Sequence, residues 1–289
     1  MDFTNPFEME GTWYKGNIHL HTTNSDGTLT PEEIIGIYKD NGYDFISITD
    51  HNYLTEIENK YEDFLVIPGI EFNKDNYHIL GINIKEGFNT ENMSPQDIID
   101  RINREGGISI LCHPYWSALT CSELLNLKNY LGIEVYNNTC EKTKGKGYSS
   151  IHWDGILQKG RKVYGFAVDD AHHCFGEHTE DDILGSFIMV KSKSLKIEDI
   201  CDSIKKGAFY SSTGVLIREL KIEGDKIMVK FSPSVNVDFI GYGSSGERFS
   251  GKGNEIEYAE YRIKGNEKYL RIEITDRNNK KAWTNPLII

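Results

Sequence analysis

The sequence predicts an α/β barrel followed by a small antiparallel β-sandwich, and three observations carry that expectation. From Tyr14 to Thr213, apolar segments rich in β-branched and aromatic residues alternate with helical stretches. Strand–helix alternation of this length builds a parallel sheet, expected here to close as a barrel. After Thr213 short alternating strands follow one another between turn residues, as in a β-sandwich. The charge divides at the same place. The formal net charge is −12, and from Val215 onward the chain holds 13 basic and 11 acidic residues, so all the net negative charge lies before that point. The expected domains are residues 1–214 and 215–289.

Taken in order, Tyr14–His19, Phe45–Thr49, Leu65–Phe72 and His78–Ile84 read as strands. So do Ile108–Cys112, Gly132–Tyr136, Val163–Val168 and Ser186–Val190. Thr30-Pro31-Glu32-Glu33 opens a helix with a cap, a proline in the first turn and acids at the dipole. Ser94-Pro95-Gln96-Asp97 repeats the device, and Leu195–Lys206 is amphipathic and closed by Gly207. In the C-terminal part, Lys226–Phe231, Val237–Tyr242, Glu255–Ile263 and Tyr269–Thr275 alternate as strands, with turns such as Glu223-Gly224-Asp225 between them.

The composition narrows the function. With 26% charged and 11% aromatic residues in 289, the chain is neither disordered nor collagen-like. No apolar run reaches the roughly 18 to 20 residues of a membrane span, and the first residues lack a secretory signal, so a cytoplasmic protein is expected. The acidity argues against a long nucleic-acid track but not against a small anionic substrate. Five widely spaced cysteines without a Cys-x-x-Cys pair read as reduced thiols.

Histidines and carboxylates fall where strands end. His19-Leu20-His21 closes the first strand, and side chains at i and i+2 share a face. Asp26 follows in the next loop. Asp50-His51 closes the second strand, Glu71 the third and His113-Pro114 the fifth, while Asp169-Asp170-Ala171-His172 follows Val168. In a β/α barrel the carboxyl ends of the strands converge on one face, where such folds build active sites. His78, at a strand start, departs from this rule. Imidazoles and carboxylates without thiolate suit Zn²⁺, Mn²⁺ or Fe²⁺, and about nine donors suit two or three ions at roughly four to six ligands each. Closely spaced ions hold a hydroxide for attack on a phosphoryl group, so phosphoester hydrolysis is the expected reaction.

These residues resemble the polymerase-and-histidinol-phosphatase (PHP) family of metal-dependent phosphoesterases. Four blocks occur in order: His19-Leu20-His21 with Ser25-Asp26-Gly27, Thr49-Asp50-His51, His113-Pro114 and Asp170-Ala171-His172, with Glu71 and His78 between the second and third. The resemblance spans roughly Tyr14 to Thr213. It implies a distorted seven-stranded (β/α) barrel and a site for two or three divalent ions. By that resemblance His19, His21, Glu71 and Asp170 serve a first ion, and Glu71, His78 and His113 a second, with Glu71 bridging. Asp26, His51 and His172 serve a third, and His51 or His172 steers the leaving group. Several family members have histidine where this chain has Asp26, which adds a negative charge there.

Around this set, Asp169 and Glu134 are expected to sit behind the ligands, with Asp169 orienting a histidine. Lys144 and Lys146 follow the strand ending at Tyr136-Asn137, on a loop where a phosphate contact competes with simple solvation. His173 and His178 lie on a polar loop that is either a lid or solvated. The expected substrate is a small phosphorylated compound, nucleotide-like or a sugar phosphate, with no membrane partner and no assigned oligomeric state. Two other readings stay open: a nuclease taking mononucleotides from short oligonucleotides at the same site, and a non-catalytic, metal-stabilised binding module.

Overall fold

The computed structural model describes residues 2–58, 61–173 and 181–289. The N-terminal part runs β1 (Thr12–Asn17), α1 (Pro31–Asp40), β2 (Phe45–Ile48), β3 (Leu65–Lys74), β4 (Tyr77–Ile82), α2 (Pro95–Arg104), β5 (Ile108–Leu111), α3 (Cys121–Asn126), β6 (Gly132–Asn137), α4 (Asn138–Lys144), α5 (Ser150–Gln158), β7 (Tyr164–Val168), β8 (Phe187–Ser192), α6 (Ile197–Lys206) and β9 (Phe209–Ser212). The C-terminal part is all β: β10 (Ile217–Glu223), β11 (Lys226–Ser234), β12 (Asn236–Gly241), β13 (Gly246–Ser250), β14 (Ile256–Arg262), β15 (Tyr269–Thr275), β16 (Lys281–Thr284) and β17 (Leu287–Ile288).

Helices α1 to α4 start where side-chain caps satisfy unpaired amides of the first turn. Thr30 accepts from the Glu33 amide while the Glu33 carboxylate takes the Thr30 amide, and Ser94 with Asp97 does the same for α2. Helix α6 ends at Gly207, whose φ of 75° suits a residue without Cβ. Apolar faces such as Ile98, Ile99 and Ile102 of α2 then bury against the sheet.

Strands β1 to β7 lie side by side in sequence order. β1, β2 and β3 are mutually parallel, and so are β5, β6 and β7. The all-parallel expectation is corrected at β4, which is antiparallel to both β3 and β5. The cause is local: a hairpin turn at Asp75-Asn76, with Asp75 at φ 53°, leaves no room for a crossover helix. Because β4 runs backwards, His78 near its start lies at the same end of the sheet as the finishing ends of β2, β5 and β7. That resolves its departure from the strand-end rule. Beyond their last strand residues the chains of β1 and β7 also meet: the Asp170 amide donates to His19 O at 2.8 Å and the His21 amide to Ala171 O at 2.9 Å.

On its other edge β1 pairs antiparallel with β8, and the sheet continues through β9, β16, β15, β12 and β13. The change of pattern near residue 214 is therefore not a break in the sheet, because β16 pairs directly with β9. The separate sheet β10-β11-β14 completes the C-terminal sandwich. Its core of Leu220, Phe231, Phe239, Tyr261 and Ile272 reaches Tyr210, and Trp13 and Met189 pack against it. A buried ion pair adds to the seam. Arg271, 1% exposed, grips Asp154 of α5 with two bonds of 2.7 Å and Glu273 with one of 3.0 Å.

The four described cysteines, Cys112, Cys121, Cys140 and Cys201, are free thiols. No helix among the described residues is long and apolar enough to cross a membrane.

Candidate metal centre

All nine residues singled out by sequence lie together at one end of the sheet. Three groups of donor atoms form: His19, His21, Glu71 and Asp170; Glu71, His78 and His113; and His21, Asp26, His51 and His172. Each arrives from its own element. His19 and His21 continue β1, His51 follows β2 and bridges to Glu71 of β3, His78 is in β4, His113 follows β5, and Asp170 and His172 follow β7. Asp26 comes from the loop between β1 and α1, and its side chain is 55% exposed.

The first group has the spacing of a coordination polyhedron. His19 Nε2 and His21 Nε2 are 3.1 Å apart, and each is 3.0 Å from Asp170 Oδ1. Glu71 Oε2 stands 3.3 Å from His19 Nε2 and 3.2 Å from His21 Nε2. Four ligands about 2.0–2.1 Å from one ion, the usual distance for imidazole and carboxylate on zinc, would have edges of this length. Glu71 Oε2 also lies 2.8 Å from His51 Nδ1, yet it makes no hydrogen bond to any of these neighbours. A fully buried carboxylate oxygen without a hydrogen bond is costly. A cation would satisfy it, so the residues fit the ion that their chemistry implies. The second carboxylate oxygen, Oε1, faces His78 Nδ1 at 2.8 Å and His113 Nε2 at 3.4 Å. Asp26 meets His51 Nε2 and His172 Nε2, each at 3.4 Å.

Groups behind the donors fix which ring nitrogen faces inward. Glu134 Oε1 takes His19 Nδ1 at 2.6 Å, Ser117 Oγ lies 3.0 Å from His113 Nδ1, and the Asp170 carbonyl takes His172 Nδ1 at 2.7 Å. With Nδ1 engaged, Nε2 is the ring nitrogen turned towards the carboxylates. Glu134 also accepts from the His113 amide at 2.7 Å and Asn137 Nδ2 at 2.9 Å, and Asn137 reaches Asp170 Oδ2 at 3.0 Å. Glu134 thus ties three ligand-bearing segments together. Replacing Glu134 with Gln should weaken metal binding about 10–100-fold by calorimetry; unchanged affinity would remove it from this role.

Two expectations about supporting residues are corrected. Asp169 faces Tyr38 and Ser186 rather than a ligand histidine. It accepts from Tyr38 at 2.6 Å and Ser186 at 2.9 Å, and burial pushes its carboxyl up to about 7. Lys144 ends helix α4 rather than lying on a loop, and it lines the site pocket, while Lys146 leans over the Tyr115 ring. Sequence reasoning assigned no role to Asn137, and named Asp50 only as part of a motif. Asp50 anchors Thr22 and Ser25 and so fixes the loop that carries Asp26. Its place beside His51 was the available signal. His173 meets Asp181 at 3.2 Å, whereas His178 lies outside the described residues.

The electrostatics follow from crowding. Burial disfavours charge on Glu71, but the imidazoles of His19, His113 and His21 hold its carboxyl well below the usual range. Burial likewise opposes a charged His19, yet Asp170, Glu134 and Glu71 raise it well above normal. Against their own burial, His51 is raised to about 10 by Asp26 and Glu71, and His172 to about 9 by Asp26 and Asp170. Protons therefore compete with a divalent ion for both rings at neutral pH, where an ordinary histidine near 6.5 would be mostly neutral. A divalent ion must displace them, so metal affinity should rise with pH up to about 9–10 and binding should release protons. Calorimetry in buffers of different ionisation enthalpy checks this, and a pH-independent affinity without proton release would contradict it.

The arrangement defines a buried centre of histidines and carboxylates that could hold metal, set in a mixed α/β sheet. No family model matches the chain. An uncharacterized protein of Methanocaldococcus jannaschii is 28% identical over 165 residues, 50% of this chain and 86% of that protein. A two-domain protein from Bacteroides vulgatus, containing a PHP-like metal-dependent phosphoesterase so assigned by prediction, superposes with a TM-score of 0.54 at 15% identity. That match covers 99% of this chain and 98% of the other. An amidohydrolase from Chromobacterium violaceum aligns at a TM-score of 0.41 and 15% identity, over 57% of this chain and 89% of that one. The full-length match shows that this chain shares the fold of that protein, so the resemblance drawn from the motifs is borne out at the level of fold.

Proposed function

We propose that the chain is a metal-dependent phosphoesterase of the PHP family that hydrolyses small phosphate esters. The observation that carries this reading is the buried Glu71 carboxylate, with one oxygen facing the first donor group and the other facing His78 and His113. The order β1 to β7, with the hydrogen bonds between the His19-Leu20-His21 and Asp170-Ala171 segments, supports reading that part as the distorted barrel. His19, His21, Glu71 and Asp170 would hold one ion, Glu71, His78 and His113 a second, and Asp26, His51 and His172 a third. Zn²⁺, Mn²⁺ and Fe²⁺ suit these donors. Two or three divalent ions would supply Lewis-acid stabilisation of phosphoryl charge and lower the pKa of water in the site.

The chain's own residues do the rest. The pocket, about 360 Å³, is lined by the metal-facing side chains on one side and by Thr139, Thr143 and Lys144 on the other. Lys144 brings positive charge to the wall that an anionic ester approaches. His172 is oriented by its Nδ1 bond, so its Nε2 faces Asp26 and the pocket; with only the first two donor groups loaded, that nitrogen can hold a proton for the departing oxygen. His51 faces Asp26 from the other side. With short oligonucleotides, release of inorganic phosphate supports a phosphatase, whereas release of mononucleotides supports the nuclease reading. Turnover of neither oligonucleotides nor phosphomonoesters by the metal-loaded protein overturns the hydrolase assignment.

A further inference from the structure

The pocket has one wall that the hydrolytic chemistry leaves unused. His113-Pro114 is followed by two large aromatic residues, Tyr115 and Trp116, which are 45% and 41% exposed. Tyr115 turns towards His152 and Lys146 and does not line the pocket. Trp116 does line it. Its ring stands edge-to-face against His113, at 4.9 Å between centroids and 73°, and against His78, at 5.8 Å and 68°. The two histidines that share Glu71 Oε1 thus hold an indole beside the place where the phosphoryl group would sit. The indole is two-fifths exposed where it lines the pocket, so a ligand there can reach it. Cys140 apart, the other side chains lining the pocket are polar or charged, and a volume of about 360 Å³ is at the low end for ligand pockets.

Resting on the phosphoesterase reading above, we infer that Trp116 selects the leaving group: a single flat aromatic ring system carried on the phosphate ester stacks against the indole. Stacking on tryptophan tolerates different rings because every such ring has a π-face, and it is lost for a sugar or alkyl phosphate. Trp116 is then a specificity residue, touching the leaving group rather than the reacting atoms. Its contribution should appear in kcat/KM for aromatic esters.

Adenosine 5′-monophosphate and ribose 5-phosphate form the discriminating pair, since they share the phosphate and sugar and differ by the base. The wild-type protein should prefer the nucleotide in kcat/KM. Trp116→Ala should lower the ratio of the two kcat/KM values about tenfold or more, and Trp116→Phe should restore most of it. Equal losses on both substrates, or an unchanged ratio, would overturn the assignment, and melting temperatures of both variants exclude misfolding as the cause. A binding titration separates this claim from the hydrolase reading. In metal-loaded protein, adenosine 5′-monophosphate should quench tryptophan emission in the wild type and much less in Trp116→Phe. If no phosphoester is turned over, the hydrolase reading falls, and the titration still decides the role of Trp116: equal quenching in both proteins would overturn it.

Discussion

Glu71→Gln should lower the rate of phosphoester hydrolysis at least about a hundredfold and remove bound metal, while leaving a folded protein. The two oxygens of Glu71 face different donor groups, so one neutral amide spoils both at once. Substitutions of residues that merely orient a ligand cost about 10–100-fold in metal affinity or activity, and a shared ligand should cost more. The amide keeps the side-chain volume, so no cavity opens in a site where Glu71 is fully buried. A loss of less than about tenfold, with metal content unchanged, would show that Glu71 bridges nothing.

The second large effect concerns the C-terminal strands. Trp283 of β16 is 1% exposed and belongs to the same buried cluster as Tyr136, Trp153 and Tyr269, stacking at 6.2 Å and 22° on Tyr136 of β6. Its indole nitrogen donates to Glu273 at 3.0 Å. Trp283→Ala should therefore cost about 3–5 kcal/mol, from the lost burial and the cavity left behind. That corresponds to a fall in melting temperature of roughly 6–20 °C for a chain of this size. Deleting residues 215–289 should be worse, because it strips β16 from β9 and uncovers Trp13, Met189 and Tyr210. Scanning calorimetry checks the substitution. A truncated chain that melts cooperatively at the full-length temperature would show that the two parts are independent.

Much of this was legible in sequence for physical reasons. Capping boxes at Thr30 and Ser94 are local chemistry, and the helices begin within a residue of them. The change from strand–helix alternation to short alternating strands is likewise local. Pairing partners are not. Nothing near Phe209–Ser212 announces that β16, about seventy residues later, will lie beside it. The reversal of β4 was readable in principle, since Asp75-Asn76 between two apolar runs is a hairpin signal. With that reversal, His78 fits the strand-end pattern. At the site, residue types at strand ends pointed to the nine side chains that the fold gathers, but not to the partners behind them. Glu134 and Asn137 stand in and just after an apolar run, where spacing tells only which face they share. Asp169 shows the limit: beside Asp170 it looked like a ligand's support, yet its neighbours in the chain turn it towards Tyr38 and Ser186.

If these donor groups hold the ions that phosphoester hydrolysis needs, activity should follow metal loading. The most direct test is to strip the purified protein of metal, add back Mn²⁺ or Zn²⁺ in measured equivalents, and follow phosphate release from a small phosphomonoester. The rate should rise with each equivalent and level off at two to three bound ions per chain. Stoichiometric binding of those ions with no turnover would contradict the account and identify the chain as a metal-stabilised binding protein.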